Sequence, residues 1–133
     1  MPENDFVKQI IVVRRSYLDK SGKPMKLRTG KMIAQACHAS MAFLSEIVTR
    51  KLELTEEQTK WIRGRFTKIC VYVETEEDLV RVQEEAERAG LTVKLITDAG
   101  NTEFHGVPTK TCLAIGPNYA SKIDEITKDL PLM

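Results

Sequence analysis

Three polar side chains, Lys31, Gln35 and His38, recur at helical spacing within the segment GKMIAQACHAS. Steps of four and three residues place side chains on one face of an α-helix, so the three should form one stripe. Apolar or small residues fill the remaining positions, which predicts a largely buried helix: Met32, Ile33, Ala34, Ala36 and Cys37. Because a cation at a helix start opposes the helix dipole unless an anion is nearby, the position of Lys31 suggests a bound anion. Gln35 and His38 can alternatively satisfy backbone groups inside the core.

A carboxylate follows the third apolar run of the chain, where Asp98-Ala99-Gly100 comes directly after LTVKLIT. Asp and Gly are turn formers, so a structural Asx-turn would explain Asp98 without any catalytic role. Asp98 gains functional weight if Lys31, Thr102 and Thr111 lie near it. An aspartate, a lysine and two threonines could place a water molecule and stabilise an oxyanion.

No protein nucleophile is recognisable in the sequence. Cys37 and His38 are neighbours on a helix and point about 100° apart, so they cannot form the hydrogen-bonded pair of covalent catalysis. The Gly-x-Ser-x-Gly elbow, the P-loop and the dinucleotide-binding glycine pattern are all missing from the sequence. Water is therefore the expected nucleophile.

The cysteines and histidines do not have the spacing of metal ligands. Cys37, Cys70 and Cys112 are far apart in the chain, and the two histidines are His38 and His105. We expect free, buried thiols, no metal and no organic cofactor.

Positive charge is concentrated near the N-terminus. Residues 1–31 contain eight Lys or Arg against three acids, a net charge of +5, and the remaining residues carry a net charge of −4. Such a stretch could contact phosphates or could be a solvated lysine-rich loop. We interpret it as a nucleic-acid contact made by five of these residues: Arg14, Arg15, Lys23, Lys26 and Arg28.

Apolar patterning and capping signals predict the elements that position these residues. Strands are expected at 7–14, 68–73, 91–97 and 111–115. Helices are expected at 30–51, after Thr55, after Thr75 and at 118–129, with the second opened by a Thr55-Gln58 capping box.

The order of these elements predicts an α/β fold. Helical crossovers should make the first three strands parallel, and the short connection before the fourth strand should make it antiparallel. We therefore expect a three-layer α/β/α sandwich on a four-stranded mixed sheet, formed by residues 1–133 as a single domain. Ligands of such sheets bind beyond the carboxyl ends of the strands, where Lys31 and Asp98 should meet.

Composition indicates a globular protein. The hydrophobic fraction is 42%, and the longest apolar runs have the length of strands, so we expect no contact with a membrane. The N-terminal segment MPENDF resembles neither a signal peptide nor a transit peptide. The expected location is the cytoplasm.

Together, these segments resemble the type-2 peptidyl-tRNA hydrolases. The resemblance rests on IIVVR, GKMIAQACHAS, LTVKLITDAGNTEF and TKTCLAIGP, which follow the family's order over nearly the whole chain. It implies hydrolysis of the ester between a peptide and tRNA, which recycles tRNA, with Lys31, Asp98, Thr102 and Thr111 as catalytic residues. Gln35 and His38 would complete the cleft. A non-catalytic RNA-binding or interaction module on the same fold is the alternative, and the sequence leaves open whether the protein forms a homodimer.

Overall fold

A computed structural model describes residues 5–100, 104 and 106–133. Its elements follow the predicted order, with one short additional hairpin in the basic stretch. In chain order they are β1 (Val7–Arg14), β2 (Tyr17–Leu18), β3 (Pro24–Met25), α1 (Thr29–Arg50), α2 (Glu56–Arg63), β4 (Lys68–Val73), α3 (Glu76–Arg88), β5 (Val93–Asp98), β6 (Thr109–Tyr119) and α4 (Ala120–Thr127). The described helices include no segment long and apolar enough to cross a membrane.

The main sheet has four strands in the order β4-β1-β6-β5. β1 pairs with β4 in parallel, whereas β6 pairs antiparallel with both β1 and β5. The α/β class and the four-stranded mixed sheet are confirmed. The predicted parallel arrangement of the first three main strands differs from the structure, in which β1 and β4 form the one parallel pair of the described sheet. β5 has no parallel neighbour there, because β6 inserts between β1 and β5. Since β5 is antiparallel to β6, it still points the same way as β1 and ends at the same edge of the sheet.

Helices cover both faces of the sheet, because side chains of a strand alternate between its two faces. On one face Ile10 and Val12 of β1 pack with Leu79 of α3 and Ile123 of α4. On the other face Ile11 and Val13 pack with Ala39 of α1. The layers are therefore helix, sheet and helix, and β1 is buried at the centre of the sheet.

Local signals fixed several helix ends. Thr55 and Gln58 form the predicted capping box of α2, and the side chain of Thr75 caps α3 by accepting from the Asp78 N–H. The end of the chain differs from the prediction: β6 continues to Tyr119, so Asn118 belongs to this strand and α4 begins at Ala120.

The first helix is less buried than expected. Ile33 is 60% exposed and Met41 is 63% exposed, and Ala34, Cys37 and His38 also lie on the exposed side. The prediction of a largely buried helix was wrong because one side of the long α1 has no described element against it, whereas Ala39 and Phe43 face the core. The expectation of buried thiols is likewise wrong for Cys37.

Candidate functional site

An ion pair between Lys31 and Asp98 joins two elements that are far apart in sequence. Lys31 lies in the first turn of α1, Asp98 is the last residue of β5, and Lys31 Nζ donates to Asp98 Oδ1 over 2.8 Å. The side chains are only 17% and 12% exposed, respectively. The anion beside Lys31 in this structure is a carboxylate of the protein itself, and the suggestion of a bound anion stays a prediction.

The second oxygen of Asp98 forms the expected turn. Asp98 Oδ2 accepts the backbone N–H of Gly100 over 3.0 Å, so the structural and ionic roles coexist, one on each oxygen. The hydrogen bond from Lys31 is the main cause that holds the pKa of Asp98 below its usual value, and partial burial opposes it. The Gly100 N–H and the charges of Lys31 and His38 lower this pKa further. Asp98 is therefore an anion at neutral pH.

Gly100 is required at its position for two reasons. Its φ is +86°, a conformation that side chains disfavour, and an added Cβ would lie 2.5 Å from the carbonyl oxygen of Val107. Its own carbonyl accepts the Gly106 N–H over 2.7 Å. The turn after β5 is thus packed against the segment that leads into β6, which fixes the direction of the Asp98 carboxylate.

Thr111 reaches α1 through an irregularity in β6. In the register of β5 with β6, Ile96 faces Cys112 and Thr97 faces Lys110, so Thr111 is the extra residue of a β-bulge. Its side chain is buried, and its Oγ1 accepts from Gln35 Nε2 over 2.8 Å. Gln35 and Thr111, two residues predicted for the site, are therefore buried below its surface. Their hydrogen bond connects α1 to the sheet.

His38 and Thr102 complete the set of residues that the sequence predicted for the site. His38 is exposed on α1 and is close enough to Asp98 for its charge to act on the carboxylate, so it lies at the rim and not in the core. Thr102 lies outside the described residues. The structure thus pairs Lys31 with Asp98 and leaves His38 exposed on the same helix as Lys31.

The basic residues of the N-terminal stretch have different environments. Arg14 donates to the Lys110 carbonyl over 3.2 Å, and its guanidinium lies 4.3 Å from the ring centre of Tyr17. Arg15 pairs with Glu74 over 3.2 Å. The remaining three side chains are exposed around the β2–β3 hairpin and the start of α1: Lys23, Lys26 and Arg28.

An aromatic cluster beneath these cations was missed by the sequence analysis. Tyr17 and Phe104 are buried, with ring centres 5.2 Å apart, and the Tyr17 hydroxyl donates to the Thr111 carbonyl over 3.5 Å. The cluster holds the hairpin against the sheet end and borders a cavity of about 290 Å³ that Arg14 and Lys20 also line. The signal in the sequence was Tyr17, an aromatic residue within a run of cations, which could have revealed this cluster.

The arrangement suits the hydrolysis of an ester near a polyanion. Asp98 can accept a hydrogen bond from water, and Lys31 can donate to an oxygen that gains negative charge. The cations of the hairpin lie at the same end of the sheet and can contact phosphates.

Comparison with known proteins identifies similar chains. Residues 7–133 match the family model described as peptidyl-tRNA hydrolase PTH2. A peptidyl-tRNA hydrolase of Methanopyrus kandleri is 39% identical over 95% of this chain and 97% of its own length. A peptidyl-tRNA hydrolase of Methanothermobacter thermautotrophicus is 35% identical over 96% of this chain and 100% of its own length. A probable peptidyl-tRNA hydrolase 2 of Drosophila melanogaster is 35% identical over 98% of this chain and 63% of its own.

Proposed function

The chain belongs to the peptidyl-tRNA hydrolase PTH2 family, and we propose that the Lys31–Asp98 pair is the centre at which it hydrolyses peptidyl-tRNA. The reaction splits the ester between the peptide carboxyl group and the tRNA 3′-ribose, and it frees tRNA for reuse. The observation that carries the proposal is the sheltered ion pair at the carboxyl end of β5, 2.8 Å long. It lies where ligands of α/β sheets bind.

Asp98 positions the attacking water in this proposal. A carboxylate with a lowered pKa is a weak base at neutral pH, so orientation and polarisation of water are a greater contribution than full proton removal. Thr102 shares the task through its hydroxyl group. The fixed turn at Gly100 keeps the carboxylate in one direction, which favours a defined path of attack.

Lys31 stabilises the negative charge that develops on the ester carbonyl or lies on the adjacent phosphate. An ammonium group has three N–H donors, so it can interact with an oxyanion as well as with Asp98. Thr111 and Gln35 act from below by fixing the distance between α1 and β6 over their 2.8 Å hydrogen bond. His38 completes the rim of the cleft.

The tRNA approaches from the hairpin side. Exposed Lys23, Lys26 and Arg28 contact its phosphates, and Arg14 and Arg15 contribute to the positive potential of this end despite their ion pairs with Glu76 and Glu74. No metal or organic cofactor is part of the proposed reaction.

Three broader features belong to the same proposal. The protein is a single domain over residues 1–133 and acts in the cytoplasm, where ribosomes produce peptidyl-tRNA. A homodimer would use the apolar groove of about 590 Å³ between α1 and α2, because its border includes the exposed side chains of Ile33, Met41 and Phe66. Sedimentation analysis of the purified protein tests the dimer.

The test of the proposed function is release of free tRNA from peptidyl-tRNA by the purified protein. Activity should be retained after treatment with a chelator and lost in Asp98→Asn. A protein that binds tRNA but does not release it from this substrate would instead be the non-catalytic RNA-binding module.

A further inference from the structure

The outer edge of β5 presents backbone groups to solvent. Within the described part of the chain, β5 is an edge strand whose partner is β6. The Gly116 N–H donates to the Thr92 carbonyl, and because antiparallel ladders alternate, Lys94 and Ile96 also face β6. The N–H and C=O groups of Val93 and Leu95 therefore point away from the sheet. Such an edge can accept an additional strand.

A groove runs along this edge beneath α1. It has a volume of about 720 Å³ and is bordered by residues 95–97 of β5 and by five residues of α1: Cys37, His38, Met41, Ala42 and Ser45. The Lys31–Asp98 pair lies at one end, because Asp98 directly follows residues 95–97. At the other end Lys94 Nζ donates to Glu46 Oε1 over 3.0 Å and links the strand to the helix. Between these two pairs there is space for about four residues of extended chain.

We propose that this groove binds the peptide part of peptidyl-tRNA as a strand added to β5. The inference rests on the proposed function, since it places the ester at Lys31 and Asp98. The peptide is joined to tRNA through its C-terminal carboxyl group, so its C-terminus must lie at Asp98. Because β5 itself runs toward Asp98, the peptide runs parallel to β5, with its N-terminus toward Lys94.

The chemistry of the groove favours a peptide over RNA. The walls contain Met41, Ala42 and Ile96, and the cation at the far end, Lys94, is already paired with Glu46. The exposed cations Lys23 and Lys26 belong to the hairpin beyond the opposite end of the site. Recognition through backbone hydrogen bonds also suits a substrate whose side chains vary, because the backbone is common to every peptide.

The experiment compares two substrates that share one tRNA and one esterified amino acid: an N-acetyl-aminoacyl-tRNA and a tetrapeptidyl-tRNA. The added backbone hydrogen bonds should raise kcat/KM for the longer substrate by about tenfold. Ala42→Trp fills the groove and should reduce this ratio to about 1. Val48→Trp is the matched control, because Val48 is on the same helix, is 70% exposed and lies away from the groove. It should keep the wild-type ratio.

A second measurement uses the wild-type enzyme, so it does not depend on the folding of a variant. Each peptide N–H of the tetrapeptidyl-tRNA is replaced in turn by an ester oxygen. Strand addition predicts an alternating loss of kcat/KM along the peptide, because alternate residues of a strand face its partner. Equal kcat/KM for the two unmodified substrates, an unchanged ratio in Ala42→Trp, or equal loss at every position would overturn the proposal. If wild-type enzyme cleaves neither substrate, the proposed function itself is wrong.

Discussion

Each end of the sheet holds a lysine–aspartate ion pair, and the two pairs differ in their surroundings. At the amino end of β1, Lys8 donates to Asp124 over 2.6 Å, and at the carboxyl end of β5, Lys31 donates to Asp98 over 2.8 Å. The Asp124 side chain is 49% exposed, whereas that of Asp98 is only 12% exposed. Exposure lets water solvate Asp124, so the Lys8 pair can be purely structural. The sheltered pair costs more desolvation and depends on its partners.

The elements around the two pairs also differ. Lys8 belongs to the central strand, which is fixed by neighbours on both sides, and Asp124 lies in α4. Lys31 and Asp98 lie where a helix begins and a strand ends, beside a turn and a basic hairpin. Under the proposed function the two pairs have unequal roles, because the second pair lies at the carboxyl edge of the strands, where ligands of α/β sheets bind. The amino-end pair, Lys8 with Asp124, is therefore the control for the Lys31–Asp98 pair.

The largest effect is expected for Asp98→Asn. Asn keeps the size of the side chain and can accept the Gly100 N–H, so the fold and tRNA affinity should survive. Loss of the charge should slow single-turnover hydrolysis by about 100-fold or more, the range of a positioned acid or base. Near-normal hydrolysis would remove Asp98 from the mechanism. Asp124→Asn, at the other end, should hydrolyse at the wild-type rate.

Lys31→Met should lower the hydrolysis rate more than tenfold. Removal of one hydrogen-bond donor to an oxyanion typically lowers kcat by about 100-fold. Stability should fall by about 1 to 3 kcal/mol, because Asp98 loses its cation but keeps the Gly100 N–H, and removal of Lys31 relieves its opposition to the helix dipole. Single-turnover kinetics and thermal unfolding provide the two values. An unfolded Lys31→Met protein would make the pair structural, like that of Lys8.

The basic hairpin should govern tRNA affinity. Replacement of Lys23 and Lys26 by Gln should weaken binding at all tRNA sequences and reduce the slope of log affinity against log salt by about 2. The matched control replaces Lys60 and Arg65, two cations that border a cavity at the amino end of the sheet. This control should leave the slope unchanged. A wild-type affinity that does not depend on salt would contradict the phosphate contacts.

Lys8→Met should affect stability and not catalysis. The Lys8 side chain is 9% exposed and Asp124 is half exposed, so loss of the pair should reduce the free energy of unfolding by about 1 kcal/mol. Urea unfolding measures this change, and the hydrolysis rate of the folded variant should equal that of the wild type. A tenfold fall in rate would show that the two ends of the sheet are coupled.

The smallest effect concerns acid pH. Because the folded-state pKa of Asp98 is lowered, its ion pair contributes fully above the ordinary pKa of about 3.9 and is lost as pH falls through the lower folded value. Lys31→Met removes the main cause of this depression, so the acid limb of its pH–rate profile should move to higher pH. Circular dichroism at each pH separates titration from unfolding. Identical acid limbs would disprove the link between the two residues.

The sequence by itself determined the local structure and the chemical composition of the site. Runs of apolar residues located the main strands, because central strands of a sheet covered on both faces are buried along most of their length. Thr55 and Thr75 marked two helix starts, because capping depends on residues within one turn. The sequence also predicted the turn that follows β5, because Asp98 and Gly100 are turn-forming residues.

Only the tertiary structure decided which strands are neighbours and which helix faces are covered. The insertion of β6 between β1 and β5 depends on long-range pairing that no local signal encodes. The bulge that turns Thr111 toward Gln35 arises from the register of two strands, and the exposed side of α1 arises from the placement of every other element. Residue spacing within a helix or strand is a short-range property. Strand order, register and helix burial depend on contacts between distant parts of the chain.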